Sequence, residues 1–371
     1  MNDPIQILQV VPNMNSGGIE NYIMNMLRSI DRERFHFDFL EHHMSESYFD
    51  NEIQSYGCHI YRLPVLDDKN IFKYHQGLKN LFSEHKFDIV HGQAASLAVF
   101  YLGAAKRAKV PVRIIHSHGT SFLKTPKGVA KRIMFQEAKR YANVRLACST
   151  EAGRFLFGNE QFSIAKNAID TKRFAYDNTL REKTRRRLGV EQDSFLIGHI
   201  GRFNLQKNHE YLIRIYLELQ KINPHSKLLM VGEGETKESI KKLVDEYGIS
   251  KNVIFESVTG NPQEYYNAMD AFVMPSLYEG LPLAGIEAQC AGLPCFMADS
   301  ITRETSVSNL IQYIPLDKGP GYWAKQISQC LKKSRYGYDS IVRKSGYDYH
   351  DNTLIMEQLY SDLLIKNTGQ E

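Results

Sequence analysis

Residues 277–288 read LYEGLPLAGIEA and follow a short apolar run, AFVMPS (271–276). The apolar run predicts a strand, and Gly280-Leu281-Pro282 predicts a turn. The small residues after it predict a helix starting near Pro282, since proline is favoured in a first helical turn. Two carboxylates, Glu279 and Glu287, are separated by seven residues. Glu279 then lies in the loop, and Glu287 about one and a half turns into the helix, roughly 7–8 Å further at 1.5 Å per residue. A helix N-terminus between them suits a phosphate. Acid, phosphate pocket and second acid match an elongated ligand such as a nucleotide-sugar. The spacing does not suit two acids sharing a proton, or metal ligands on one helical face. The plainer alternative is a loop acid and a solvated helix acid.

The same strand–turn–helix unit recurs outward from this stretch. Further strands are expected at FLIGHIG (195–201), KLLMVG (227–232), NVIFESV (252–258) and LPCFMA (293–298). The first half carries IQILQVV (5–11), FHFDFL (35–40), HIYRLPV (59–65), DIVHG (88–92), RIIHSH (113–118), VRLACS (144–149) and FSIAKNAI (162–169). Amphipathic helices intervene, such as IENYIMNMLRSI, with Ile19, Ile23, Met26, Leu27 and Ile30 on one face. This alternation predicts parallel sheets covered on both faces. A charge-dense span, 170–189, interrupts it, and 371 residues suit about two domains. The expected fold is α/β, two doubly wound domains in series, with a final helix in YHDNTLIMEQLYSDLLIK (349–366).

In such sheets ligands bind beyond the carboxyl ends of the strands. Four further loops there carry candidates. Gly17 and Gly18 open a helix after the first strand, although they also suit a plain tight turn. Arg202 and Lys207 flank GRFNLQKN (201–208), where two cations can neutralise a diphosphate. Gly232 and Gly234 mark another turn, with Glu233 available to a hydroxyl. His116 and His118 alternate on IIHSHGT (114–120) and point the same way. No matching acid or third histidine is evident near them, so a zinc site is not expected. His116 reads as structural and His118 as able to touch a ligand.

The net charge of +4 excludes little by itself. The five cysteines form no C-x-x-C pair, which argues for a reducing cytosol rather than a disulfide framework. The N-terminal residues lack a signal-peptide pattern, and no run suits a membrane span. The missing G-x-G-x-x-G fingerprint argues against nicotinamide binding. Between Lys106 and Arg145 lie eleven cations, one acid (Glu137) and interleaved Phe122, Leu123, Ile133, Met134 and Phe135. This stretch fits either an anionic membrane surface or a solvated face; no motif supports nucleic-acid binding.

Together, PSLYEGLPLAGIEAQCAGLP (275–294), GRFNLQKN, VGEGE, the Gly-Gly loop and HSHG resemble the retaining nucleotide-sugar glycosyltransferases of family 4. HSHG and ADSITRE (298–304) look most like bacterial capsular and exopolysaccharide transferases. The resemblance implies the GT-B fold, two Rossmann-like domains facing across a cleft: an acceptor-side domain at 1–175, a donor domain at 176–347, and a helix at 348–371 crossing back to the first. It implies that Arg202 and Lys207 hold the donor diphosphate, that Glu287 binds the ribose and that Glu279 faces the sugar. Amides of Gly280, Leu281 and Leu283 lie near sugar or phosphate. Gly17 and Gly18 close over the phosphates, Gly232 lines the donor site and His118 lies near the reacting sugar. Implied partners are a UDP- or GDP-sugar and a glycan or polyprenyl-linked oligosaccharide, with no metal or other cofactor. The implied location is cytoplasmic, with peripheral contact at the inner face of the membrane. A sugar-nucleotide epimerase, a phosphorylase or a silent nucleotide-binding partner could use the same architecture. Ser257-Val258-Thr259 stands where the family often has glycine.

Overall fold

The computed structural model describes residues 3–369 except 16, 65, 67–69, 94–96, 120–132, 258–259 and 331–333. The chain divides into two compact units, one of Met1–Ala168 with Tyr349–Glu371 and one of Ile169–Asp348.

The first unit holds β1 (Ile5–Val11), β2 (Phe35–Glu41), β3 (Ile60–Arg62), β4 (Ile89–Gly92), β5 (Val112–Ser117), β6 (Val144–Ala147) and β7 (Ser163–Ile164). They form a parallel sheet in the order β3-β2-β1-β4-β5-β6-β7. Strand alternation sends Ile7, Phe37, Ile89 and Ile114 to one face, against the helix Gly18–Ser29. Leu8, Val10, Val90 and Ile115 go to the other face, with Leu78 and Tyr101. Both faces are covered, so these strands read as near-continuous apolar runs.

The second unit holds β8 (Phe195–Ile200), β9 (Ser226–Val231), β10 (Val253–Glu256), β11 (Ala271–Met274), β12 (Cys295–Ala298) and β13 (Ile311–Ile314). Its parallel order is β10-β9-β8-β11-β12-β13. The sequence pattern does not announce β13, because this edge strand has only four residues and an exposed Gln312. The expected strands at 59–65 and 162–169 shorten to Ile60–Arg62 and Ser163–Ile164. In each sheet the order reverses beside the first strand, between β1 and β4 and between β8 and β11. The loops after β8 and β11 therefore open side by side.

The division falls after Ala168 rather than at 175, because Ile169 and Phe174 already pack in the second unit's core. Ile169 N–H donates to Tyr347 O (2.9 Å), and the Thr171 hydroxyl donates to Asp348. The chain thus enters and leaves this unit at one place. The helix Tyr349–Thr368 packs on the first unit. There Tyr360 OH lies 2.7 Å from His91 Nδ1, and Glu357 Oε1 accepts the Asp31 amide at 2.8 Å.

Candidate functional site

Residues 201–208 leave β8, and 275–283 leave its neighbour β11. After β8, the Asn204 side chain accepts the Lys207 amide at 3.0 Å and caps a single 3-10 turn, Leu205–Lys207. Asn208 then takes a left-handed conformation, φ 58°, before the helix His209–Ile222. This turn is sewn to the second loop. Leu277 N–H donates to Gln206 O (2.8 Å), and Asn208 Nδ2 donates to Pro275 O (3.1 Å). Gln206 Nε2 donates to Tyr278 O (3.0 Å) and Glu279 Oε2 (3.2 Å). The outcome is an ion pair: Lys207 Nζ lies 2.6 Å from Glu279 Oε1, with side chains 16% and 8% exposed. The sequence argument places these two on different parts of a ligand, whereas here they hold each other.

Arg202 points into solvent, 71% exposed, and pairs with Glu235 at 3.1 Å. Gly232 and Gly234 sit at φ 156° and 151°, and a Cβ on either would collide with Gly201 O or Phe203 O. Phe203 N–H donates to Glu233 O (2.8 Å) and Thr236 N–H to Phe203 O (3.1 Å). Close approach of the 201–203 backbone therefore demands glycine at both positions, whatever binds nearby. The Glu233 carboxylate accepts from Lys237 (2.7 Å) and Ser257 (2.6 Å), while Val258 and Thr259 lie outside the described residues.

The helix after Glu279 spans Leu283–Cys290, with Pro282 as its cap rather than its first residue and no side chain capping its amides. Gly280 and Leu281 lead directly into it. Its first N–H groups are the kind that bind an anion. Glu287, partly buried, accepts the Tyr266 hydroxyl at 2.7 Å. Burial pushes its carboxyl up to about 7, against the opposing pull of Tyr266 and Arg173. Two further residues escaped sequence reading. Gln206 carries no charge to flag it, and Tyr266 sits in the distant helix Pro262–Ala268.

Beneath Lys207 lie His199 and His209, both buried, their ring centroids 4.9 Å apart. His199 Nδ1 bonds to Val273 O at 2.9 Å, while its Nε2 and both His209 nitrogens have no partner. Burial, with the Lys207 charge as a lesser cause, holds His209 down to about 4. Both rings are therefore neutral near pH 7.

In the first unit, Gly17 caps the helix Gly18–Ser29 in extended backbone, φ −148°. The Glu20 carboxylate folds back against Gly17, and burial raises its pKa. Sequence reading missed Glu20; an acid in the first turn behind the glycine pair was the available signal. His118, half-buried, receives Asn167 Nδ2 at Nδ1 (3.2 Å) and donates from Nε2 to Gln93 Oε1 (2.6 Å). Burial lowers it to about 3, so it is a neutral imidazole. His116 is fully buried and shares its side of the strand with His118, ring centroids 4.1 Å apart. The expectation of no third histidine nearby is corrected: His91 Nε2, on β4, lies 3.1 Å from His116 Nδ1. The pair of sheet neighbours was invisible because β4 and β5 are far apart in sequence. Among the described residues the metal-compatible group is a different one, His36, Asp38 and His59.

The basic stretch is less free than its composition suggests. Lys139 and Arg145 both reach Glu160 (3.0 and 2.8 Å), Arg140 pairs with Glu137, and Arg113 donates to Tyr141 O (2.8 Å). Phe135 is buried. Phe122, Leu123, Lys124, Lys127, Lys131 and Arg132 lie outside the described residues. Among the described residues no helix is long and apolar enough to cross a membrane.

The family model for glycosyltransferase family 4 matches residues 16–173, and that for glycosyl transferases group 1 matches 181–334. A Bacillus subtilis protein named as glycosyltransferase EpsF is 31% identical over 370 residues, covering 96% of each chain. The Escherichia coli UDP-Gal:alpha-D-GlcNAc-diphosphoundecaprenol alpha-1,3-galactosyltransferase is 28% identical over 247 residues, covering 62% of this chain and 63% of that one. Among solved structures, Anabaena Alr3699/HepE in complex with UDP and glucose superposes with a TM-score of 0.76 at 16% identity, over 96% of this chain and 100% of that one. This last likeness shows the GT-B fold.

Proposed function

We propose, because this chain belongs to glycosyltransferase family 4, that it moves a sugar with retention from a nucleoside-diphosphate donor to a hydroxyl of a lipid-linked glycan. The observation that carries the reading is the Lys207–Glu279 pair, held beside an uncapped helix N-terminus where the second sheet reverses its strand order.

The reaction breaks the bond between the anomeric carbon and the β-phosphate oxygen, and negative charge grows on the leaving diphosphate. Lys207, Arg202 and the amides of Gly280, Leu281 and Leu283 are the groups that stabilise it. With two cations and a helix N-terminus in reach, the step runs without a metal ion, and activity persists in excess chelator. Glu279 orients the sugar and Glu287 binds the ribose. The acceptor attacks on the face the phosphate leaves, and the phosphate oxygen takes its proton. In the first unit, neutral His118 serves the acceptor side.

UDP is the leaving nucleotide we favour over GDP, supported by the UDP-sugar named for the Escherichia coli relative. The same name supports a polyprenyl-diphosphate acceptor, as in surface-polysaccharide assembly in the cytoplasm. The cations at 106–145 would then rest on the anionic inner leaflet, and flotation with liposomes that shows no preference for anionic lipid would remove this part.

Thermal shift against UDP, GDP, ADP and their sugars tests the donor assignment. The expected result is stabilisation by UDP and UDP-sugars, reduced in Glu287→Ala. No shift with any of them would overturn it.

A further inference from the structure

We propose that His36, Asp38 and His59 form a binding site for a zinc-class divalent cation at the edge of the first unit's sheet. His36 and Asp38 lie two residues apart on β2, so they project to the same face. His59 immediately precedes the edge strand β3, whose Ile60 is in register with Phe39. The sheet thus brings three donors together from two chain segments.

The separations suit a metal. Asp38 Oδ1 is 3.2 Å from His36 Nε2 and 3.4 Å from His59 Nδ1. All three donor atoms lie within 4.8 Å of one another. Zinc bonds of about 2.0–2.1 Å in tetrahedral geometry place neighbouring donors about 3.3–3.4 Å apart. Two edges of the tetrahedron are therefore already in place. The third needs only movement of the His59 side chain, which is 71% exposed.

The donor set selects the ion. Two imidazoles and one carboxylate suit zinc and its late first-row neighbours, whereas magnesium and calcium prefer all-oxygen sites. Three protein ligands leave a fourth position for water or another ligand. The ligands also have supporting contacts. Asp38 Oδ1 accepts the His59 amide at 2.8 Å, and Oδ2 accepts the Tyr61 hydroxyl at 3.4 Å. Tyr61 OH in turn lies 3.2 Å from His85 Nδ1. Such contacts orient a ligating carboxylate. His36 is the second residue of β2 and His59 precedes β3, so the cluster lies towards the amino ends of these strands, away from the carboxyl-end loops that take ligands, and this cation would not take part in sugar transfer. Its effect would be to clip the three-residue β3 onto β2.

Calorimetric titration of the chelator-stripped full-length protein with zinc chloride tests this. The expected result is one equivalent bound by wild type, with affinity at least tenfold weaker in His36→Gln and in His59→Gln. His225→Gln, in the second unit, should bind as wild type. Cobalt(II) in place of zinc should give the intense visible absorption of a tetrahedral site in wild type and lose it in His59→Gln. Absence of stoichiometric binding, or equal binding by wild type and both histidine variants, would overturn the proposal and reduce the cluster to histidine–aspartate hydrogen bonds. If His36→Gln fails to fold, the exposed His59 position decides. Sugar transfer by His59→Gln equal to wild type keeps this test separate from that of the donor site.

Discussion

Lys207 Nζ and Glu279 Oε1 meet at 2.6 Å across 72 residues of chain, in a pair that water barely reaches. An ion pair of this burial is costly to break from one side, because the remaining charge stays desolvated. A bound diphosphate offers Lys207 a competing partner, so the pair also preorganises the ammonium.

Lys207→Ala should lower kcat/KM at least tenfold, about 1.4 kcal/mol of lost transition-state stabilisation. It should also lower Tm, since Glu279 loses its partner. The double variant Lys207→Ala/Glu279→Gln should regain much of the Tm and none of the activity. Full activity in the single variant would remove Lys207 from the reaction.

Arg202 should behave differently. Its pairing with Glu235 is exposed, and such pairs contribute little to stability. Arg202→Ala should therefore keep the wild-type Tm while losing at least tenfold in kcat/KM. Glu235→Ala should leave turnover near wild type. A fall in Tm without a fall in rate would mark Arg202 as structural.

Nucleotide affinity should depend on Glu287 through pH. Its carboxyl ionises near 7 in the fold, against an ordinary value of 4.5. The folded chain thus retains this proton where the unfolded chain has released it, and the group's contribution to stability declines as pH rises from about 4.5 to 7. Ionisation turns the protonated oxygen into an acceptor for a ribose hydroxyl, beside the Oε2 that accepts Tyr266, so UDP should bind more tightly at pH 8 than at pH 6. Calorimetry on Glu287→Gln should show that pH dependence flattened. An unchanged pH profile in the variant would assign the dependence elsewhere.

Gly232→Ala should destabilise the second unit by about 1–3 kcal/mol, the range for overpacking, because its Cβ would strike Gly201 O. Trp323, the chain's single tryptophan, is fully buried in that unit and reports its unfolding by fluorescence. A denaturation midpoint equal to wild type would contradict the crowding.

Tyr360→Phe should cost about 1–2 kcal/mol, since it removes the hydroxyl bonded to buried His91 and leaves that nitrogen without a partner. Denaturation followed by circular dichroism measures it.

Much of this molecule could be read directly from its residues. Alternating apolar runs and amphipathic helices, as in residues 5–30, determine parallel sheets because strand and helix periodicity are local properties. The spacing of Glu279 and Glu287 places one before a helix and one within it for the same reason. The family likewise follows from motifs confined to short loops. Sheet order decided the rest. It set β8 beside β11, so that Lys207 faces Glu279, and brought Tyr266 onto Glu287, whose burial shifts its carboxyl. It pressed Gly201 against Gly232, which makes glycine at 232 a packing requirement. It also set His91 beside His116, and Asp38 beside His59. Each of these pairs joins segments far apart in the chain. No local pattern encodes such a pairing, because it forms only when distant strands choose their neighbours and desolvate the groups between them.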